Sequence, residues 1–129
     1  MIFNEIEFIK NDVTRNTDTT ELSKETPHII VEILEYMPNS ILIKTIIKKN
    51  TGNITVSSLD AGEELTEKIL PFDTFIQVID GTADLTIDKR KYKLRLGEGI
   101  IIPAHSSHRF EANVQFKMVS TIIKSGYED

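Results

Sequence analysis

The stretch GEELTEKILPFDTFIQVIDG (residues 62–81), followed after fifteen residues by GEGIIIPAHSSHRFEA (residues 97–112), decides how this chain folds. In the first segment a mostly apolar run from Phe75 to Ile79 stops at Asp80-Gly81, and in the second Ile100 to Ile102 stops at Pro103. Short apolar runs bounded in this way read as strands that end at turns, because glycine permits backbone that a side chain restricts and proline removes a ladder donor. Between the segments, Ala83, Leu85 and Ile87 alternate with Thr82, Asp84, Thr86 and Asp88, and Tyr92, Leu94 and Leu96 alternate with Lys91, Lys93 and Arg95. A period of two marks half-buried strands. Residues 82–96 therefore predict a single hairpin, with Lys89-Arg90-Lys91 as its charged and solvated tip.

The same punctuation continues outward. Ile41 to Lys48 leads through Asn50-Thr51-Gly52-Asn53, a hairpin-type turn, into Ile54 to Leu59, and Phe116 to Lys124 supplies a last long strand. No helical pattern interrupts residues 41–124, which excludes a parallel α/β sheet and predicts an antiparallel sandwich or barrel. Ile41, Ile43 and Ile47 fall on one face of their strand, Leu42 and Ile46 on the other. A strand apolar on both faces needs cover outside the barrel, from the N-terminal segment or from a second subunit. Upstream the pattern weakens: Ile2, Ile6, Ile9 and Val13 recur at helical spacing, and Thr14 to Pro27 reads as a loop. His28 to Tyr36, closed by the turn Pro38-Asn39-Ser40, reads as a strand or a single helical turn. The expected organisation is an irregular or partly helical N-terminal extension over residues 1–40, packed on the barrel or on a partner subunit. The barrel domain then occupies residues 41–129, with a homodimer as the simplest assembly.

The 129 residues make one domain, and 40% hydrophobic with 27% charged residues is an ordinary globular balance. A net charge of −5 with scattered lysines provides no phosphate-neutralising stripe, so nucleic acid is not an expected partner. The absence of cysteine excludes disulfides, thiolate metal sites and thiol nucleophiles, and fits a reducing compartment. No stretch approaches the length of a membrane span, and the first residues lack the basic start and unbroken apolar run of a secretory signal. The expectation is a cytoplasmic protein with no membrane partner.

Taken together, residues 62–112 resemble the paired motifs of the small single-domain bacterial cupins, at the shortest intermotif spacing in that family. The resemblance implies an all-β fold, an antiparallel double-stranded β-helix or jelly-roll barrel. It also implies where a metal would sit, on a His-x-His pair and a glutamate of the first motif and a histidine of the second. In this sequence Lys68 and Leu70 stand at the paired histidine positions and Thr74 at the glutamate, while His108 retains the last histidine. An ammonium repels a metal, leucine has no lone pair, and a single imidazole holds no divalent ion at useful affinity. Asp73 lies one residue from the glutamate position, which on a strand means the opposite face. The resemblance with these substitutions implies a degenerate metal site, with no tightly bound transition metal and no other cofactor.

The same motif positions aim Lys68, Leu70, Thr74 and His108 into one end of the barrel, joined by Phe110 and Met118. That set suggests a cup for a small anionic or carbonyl-bearing ligand, held by Lys68 and His108 between walls of Leu70, Phe110 and Met118. A snorkelled, solvated Lys68 and a core His108 are the bland alternatives. The barrel hosts many activities, so the functional reading is a metal-free small-molecule-binding or interaction domain. Its rival is an enzyme with a rebuilt site, using Lys68 as a Schiff-base lysine beside His108 or a metal on ligands outside the motifs. No residue is assigned as catalytic. His105 replaces a motif glycine and is expected to hold positive φ, Gln77 faces away from Thr74, and His28 is expected to be structural or exposed.

Overall fold

The structure, a computed structural model, describes residues 9–10 and 15–127. Among these residues the chain forms β1 (Ile9–Lys10), β2 (Arg15–Asp18), a 3-10 turn (Ile30–Glu32), β3 (Ile41–Lys49), β4 (Gly52–Leu59), β5 (Glu64–Thr66) and β6 (Thr74–Gly81). It continues through β7 (Ala83–Ile87), β8 (Arg90–Leu94), β9 (Gly99–Ile102), β10 (His108–Glu111) and β11 (Phe116–Ile123). One sheet runs β1-β2-β3-β4-β11-β6-β9 and the other β5-β10-β7-β8. Both contribute to one core, with Ile41, Leu59, Ile76, Val78, Phe116 and Met118 from the first meeting Leu65, Leu85, Leu94 and Phe110 from the second. This is the expected jelly-roll barrel.

The motif turns hold the strands as their chemistry requires. Gly81 has φ 71°, and a Cβ there would collide with the Gln115 carbonyl, so only glycine fits. His105 carries φ 67° at the motif's missing glycine. In the central hairpin Ala83, Leu85, Ile87 and Leu94 are buried as their alternation predicts. Leu96 departs from it: β8 ends at Leu94, and Leu96 sits 66% exposed in the following turn.

Two expectations for the N-terminal half change, and a third lies mostly outside the described residues. The helical spacing falls mostly on Ile2, Ile6 and Val13, outside the described residues, and Ile9 belongs to β1, paired antiparallel with β2. The loop expected over Thr14 to Pro27 contains β2, which pairs parallel with β3 in the register Thr17↔Ile43 and Asp18↔Lys44. Its polar composition hid it, because a strand beside a sheet gains its hydrogen bonds from backbone whatever its side chains are. Ile47 also leaves the face of Ile41 and Ile43, since the register shifts between Thr45 and Ile47 and an inserted residue flips every later side chain.

The outer face of β3 is covered by the chain itself. Leu34 is 2% exposed and packs with Leu42 and Val56, bordered by Ile30, Ile33, Met37, Ile46 and Ile79. The second apolar face of β3 therefore calls for no second subunit. Of the two readings of His28 to Tyr36, the helical turn is the one that forms. Polar groups trapped beneath this cover are paired. Lys44 Nζ donates to Asp18 Oδ2 at 3.0 Å and to the Thr20 carbonyl, with side-chain exposures of 4% and 1% for the ion pair. Burial pushes the Asp18 carboxyl up, but the Thr20 amide at 2.9 Å and Lys44 outweigh it and hold the group below its ordinary value. Lys117 Nζ donates to the Val31 carbonyl at 2.7 Å and lies 4.9 Å over the Tyr36 ring, whose hydroxyl donates to Asp80 at 2.6 Å. Among the described residues no helix is long and apolar enough to cross a membrane.

Candidate functional site

The inner face of the seven-stranded sheet changes character along its strands. Register partners form successive rows, and the first, Ile41–Leu59–Phe116, is wholly apolar and packed shut. Next comes Ile43–Ser57–Met118–Val78, then Thr45–Thr55–Ser120–Ile76, then Lys48–Asn53–Ile122–Thr74. Polar side chains on an inward face leave a barrel interior unfilled, and the structure has a cavity of ≈240 Å³ there. β2 adds Arg15 and Thr17 to its wall, Thr19 just beyond it a third residue, and the opposite sheet Leu65, His108 and Phe110.

Leu70, Thr74, His108, Phe110 and Met118 all line this cavity, as the motif positions predict. Lys68 does not: it is exposed and outside the lining, so the expectation that it points into the cup is corrected. The segment after β5 is irregular, turning Glu67 and Leu70 toward the cavity and Lys68 and Ile69 to solvent, where an ammonium keeps its hydration. Gln77 is exposed and donates to the Gly97 carbonyl at 3.3 Å, and His28 is exposed beside the Ser23 carbonyl at 3.1 Å. Asp73 faces away from the cavity and accepts the Ala104 amide at 2.8 Å.

Residues the motifs did not point to carry the site's charge. Arg15 and Glu67 form a salt bridge of 3.1 Å, joining β2 of one sheet to the segment beyond β5 of the other. Burial pushes the Glu67 carboxyl above its ordinary value, with Arg15 opposing the shift. Burial alone pushes the His108 imidazole below its usual value, favouring the neutral ring. That ring meets Phe110 edge-on, centroids 5.8 Å apart, and its Nδ1 is buried without a hydrogen-bond partner. Asn53 Oδ1, on the same cavity, is in the same condition.

The donor set does not fit a resident metal. Of the family's four ligand positions only His108 and Thr74 offer lone pairs to the cavity, and the neutral Thr74 hydroxyl is a poor metal ligand. Glu67 is the carboxylate on the wall, and it is bound to Arg15. Among the described residues no group of three His, Asp or Glu side chains converges.

Known proteins agree with this architecture. A conserved protein of unknown function from Streptococcus pyogenes is 26% identical with a TM-score of 0.76, over 81% of this chain and 92% of its own. A cupin superfamily protein from Desulfitobacterium hafniense is 25% identical with a TM-score of 0.74, over 81% and 95%. Polyketide synthase CurC of Streptomyces cyaneus is 24% identical over 90 residues, 63% of this chain and 58% of that relative's length. The cupin domain family's profile matches residues 55–122, taking in the central hairpin and the β4, β6, β10 and β11 walls of the cavity. On that match, more than half of its 129 residues, the chain belongs to the cupin domain family.

Proposed function

We propose that the chain is a metal-free small-molecule-binding cupin, its ligand held in the barrel cavity against Leu70, Thr74, His108, Phe110 and Met118. The observation that carries this reading is the pair of buried, unpartnered polar atoms, His108 Nδ1 and Asn53 Oδ1, on one cavity of ≈240 Å³. A buried polar atom left without a partner costs about 1–3 kcal/mol, and a ligand bonded to both regains that energy. A space of ≈240 Å³ is on the scale of a small metabolite and not of a peptide. The ligand's carbonyl or hydroxyl group meets His108. An anion held by Lys68 loses its support, because Lys68 lies in solvent, and so does a Schiff-base enzyme at that lysine.

Amide NMR with a library of small polar fragments tests the reading. Hits should shift the His108, Thr74 and Ser120 resonances, and Ser57→Leu, which fills the cavity, should abolish them. A library that leaves those resonances unmoved at millimolar concentration overturns the proposal, as would near-stoichiometric iron, nickel, zinc or manganese in untagged protein.

A further inference from the structure

The geometry points to a neutral polyhydroxylated ligand, a single sugar ring or sugar alcohol, as the occupant of this cavity. The inference rests on the reading of the cavity as a ligand site and adds the class of molecule. Its first support is the register row Thr45–Thr55–Ser120, three hydroxyls on adjacent strands facing inward, with Ser57 and Thr17 one row away. Neighbouring strands lie ~4.8 Å apart, so the hydroxyls form a ladder, and each both donates and accepts. A partner matched to such a wall carries several groups that do the same, which is the property of a polyol.

The second support is the sign of the unpartnered atoms. Asn53 Oδ1 accepts only, and neutral His108 Nδ1 accepts or donates according to its tautomer. A carboxylate brings acceptors alone and meets Asn53 only through its amide NH2, so Oδ1 still lacks a proton. A hydroxyl supplies the missing proton.

The third is the state of the two cations on the cavity wall, of which Lys48 is exposed and keeps its hydration. Arg15 is held by Glu67 at 3.1 Å, so the pair presents donors and acceptors side by side, a match for adjacent hydroxyls. A ligand carboxylate taking Arg15 would strand Glu67 where burial already resists its charge. Leu65 and Phe110 on the opposite wall, with Met118 beside Ser57 on the hydroxyl wall, offer apolar surface to the C–H face of a ring. The cavity of ≈240 Å³ admits one pentose or hexose.

Calorimetry and amide NMR with D-xylose, D-glucose and D-mannitol, against acetate, lactate and succinate, test the class. Saturable binding of at least one polyol is expected, with shifts at Thr55 and Ser120 and no binding of the carboxylates. Thr55→Val keeps the side-chain shape and should weaken polyol binding about tenfold, the loss of one good hydrogen bond. Ser120→Ala serves as the second variant, and unchanged melting of both confirms the fold. Carboxylate binding at His108 without polyol binding overturns the sugar inference and leaves the ligand site standing. No shift from either set overturns the inference, and whether cavity binding survives is then decided by the fragment library. Polyol binding indifferent to both variants also overturns it.

Discussion

The two faces of β3 and β4 bury polar groups in opposite ways. On the outer face Lys44 finds Asp18 and the Thr20 carbonyl, Lys117 finds Val31, Tyr36 finds Asp80, and Ser58 Oγ donates to the Glu35 carbonyl at 3.1 Å. On the inner side Asn53 of β4 and His108 of β10, across the cavity in the other sheet, each retain a buried atom with no partner beside an open volume. Satisfied networks rigidify a fold, whereas an unsatisfied buried group destabilises it unless something outside the chain completes it. The outer face is finished by the polypeptide and the inner one is not. Stability and binding should therefore separate cleanly by face.

The largest effect belongs to the outer face. Lys44→Ala leaves the Asp18 carboxylate buried at 1% exposure and should cost about 3–5 kcal/mol in urea denaturation. The double change Lys44→Met with Asp18→Leu should recover most of that. A single variant within ~1 kcal/mol of the parent would break the contrast between faces. Tyr36→Phe, which strips the donor from Asp80, should cost a smaller amount, about 1–2 kcal/mol by the same measurement.

On the inner face the effects should be slight and pH-dependent. Burial lowers the folded-state pKa of His108 from 6.5, so below that pH the unfolded chain takes up a proton that the fold resists. The contribution of His108 is thus fully present above 6.5 and lost as the pH falls through the lowered folded value. His108→Gln should flatten this part of the melting-temperature profile, and an unchanged slope would place its origin elsewhere. Smallest of all is Lys68→Met: with the side chain in solvent, stability should move by less than ~0.5 kcal/mol and fragment binding not at all. A measurable loss of binding would return Lys68 to the cup.

The barrel was legible because Gly81, Gly97 and Pro103 punctuate runs whose period is fixed by the pleat. Most of the legible site shares that frame: Thr74, His108, Phe110 and Met118 lie on strands, so their motif positions fix their direction, and Leu70 is the exception, placed rightly from irregular backbone. Lys68 lies on irregular backbone, where spacing does not determine orientation. Arg15 and Glu67 meet across two sheets from positions 52 residues apart in number, and no local pattern encodes that contact. One signal was available: Asn53, Thr55 and Ser57 alternate with Ile54 and Val56 and lead into Leu59, which marks a polar inward face. The bulge after Thr45 had no such trace, and it turns the exposed Lys48 to the cavity side of β3.

The segment from Arg15 to Met37 walls the cavity at one end and roofs the second core at the other. Peeling it away would open the interior and strip Leu34 from Leu42 and Val56 in one event. In hydrogen exchange, the Thr17 and Leu34 amides should thus behave as one foldon with a common opening free energy. Occupancy of the cavity should raise that energy for both, so a molecule touching Thr17 would slow exchange at Leu34, across the sheet and out of its reach.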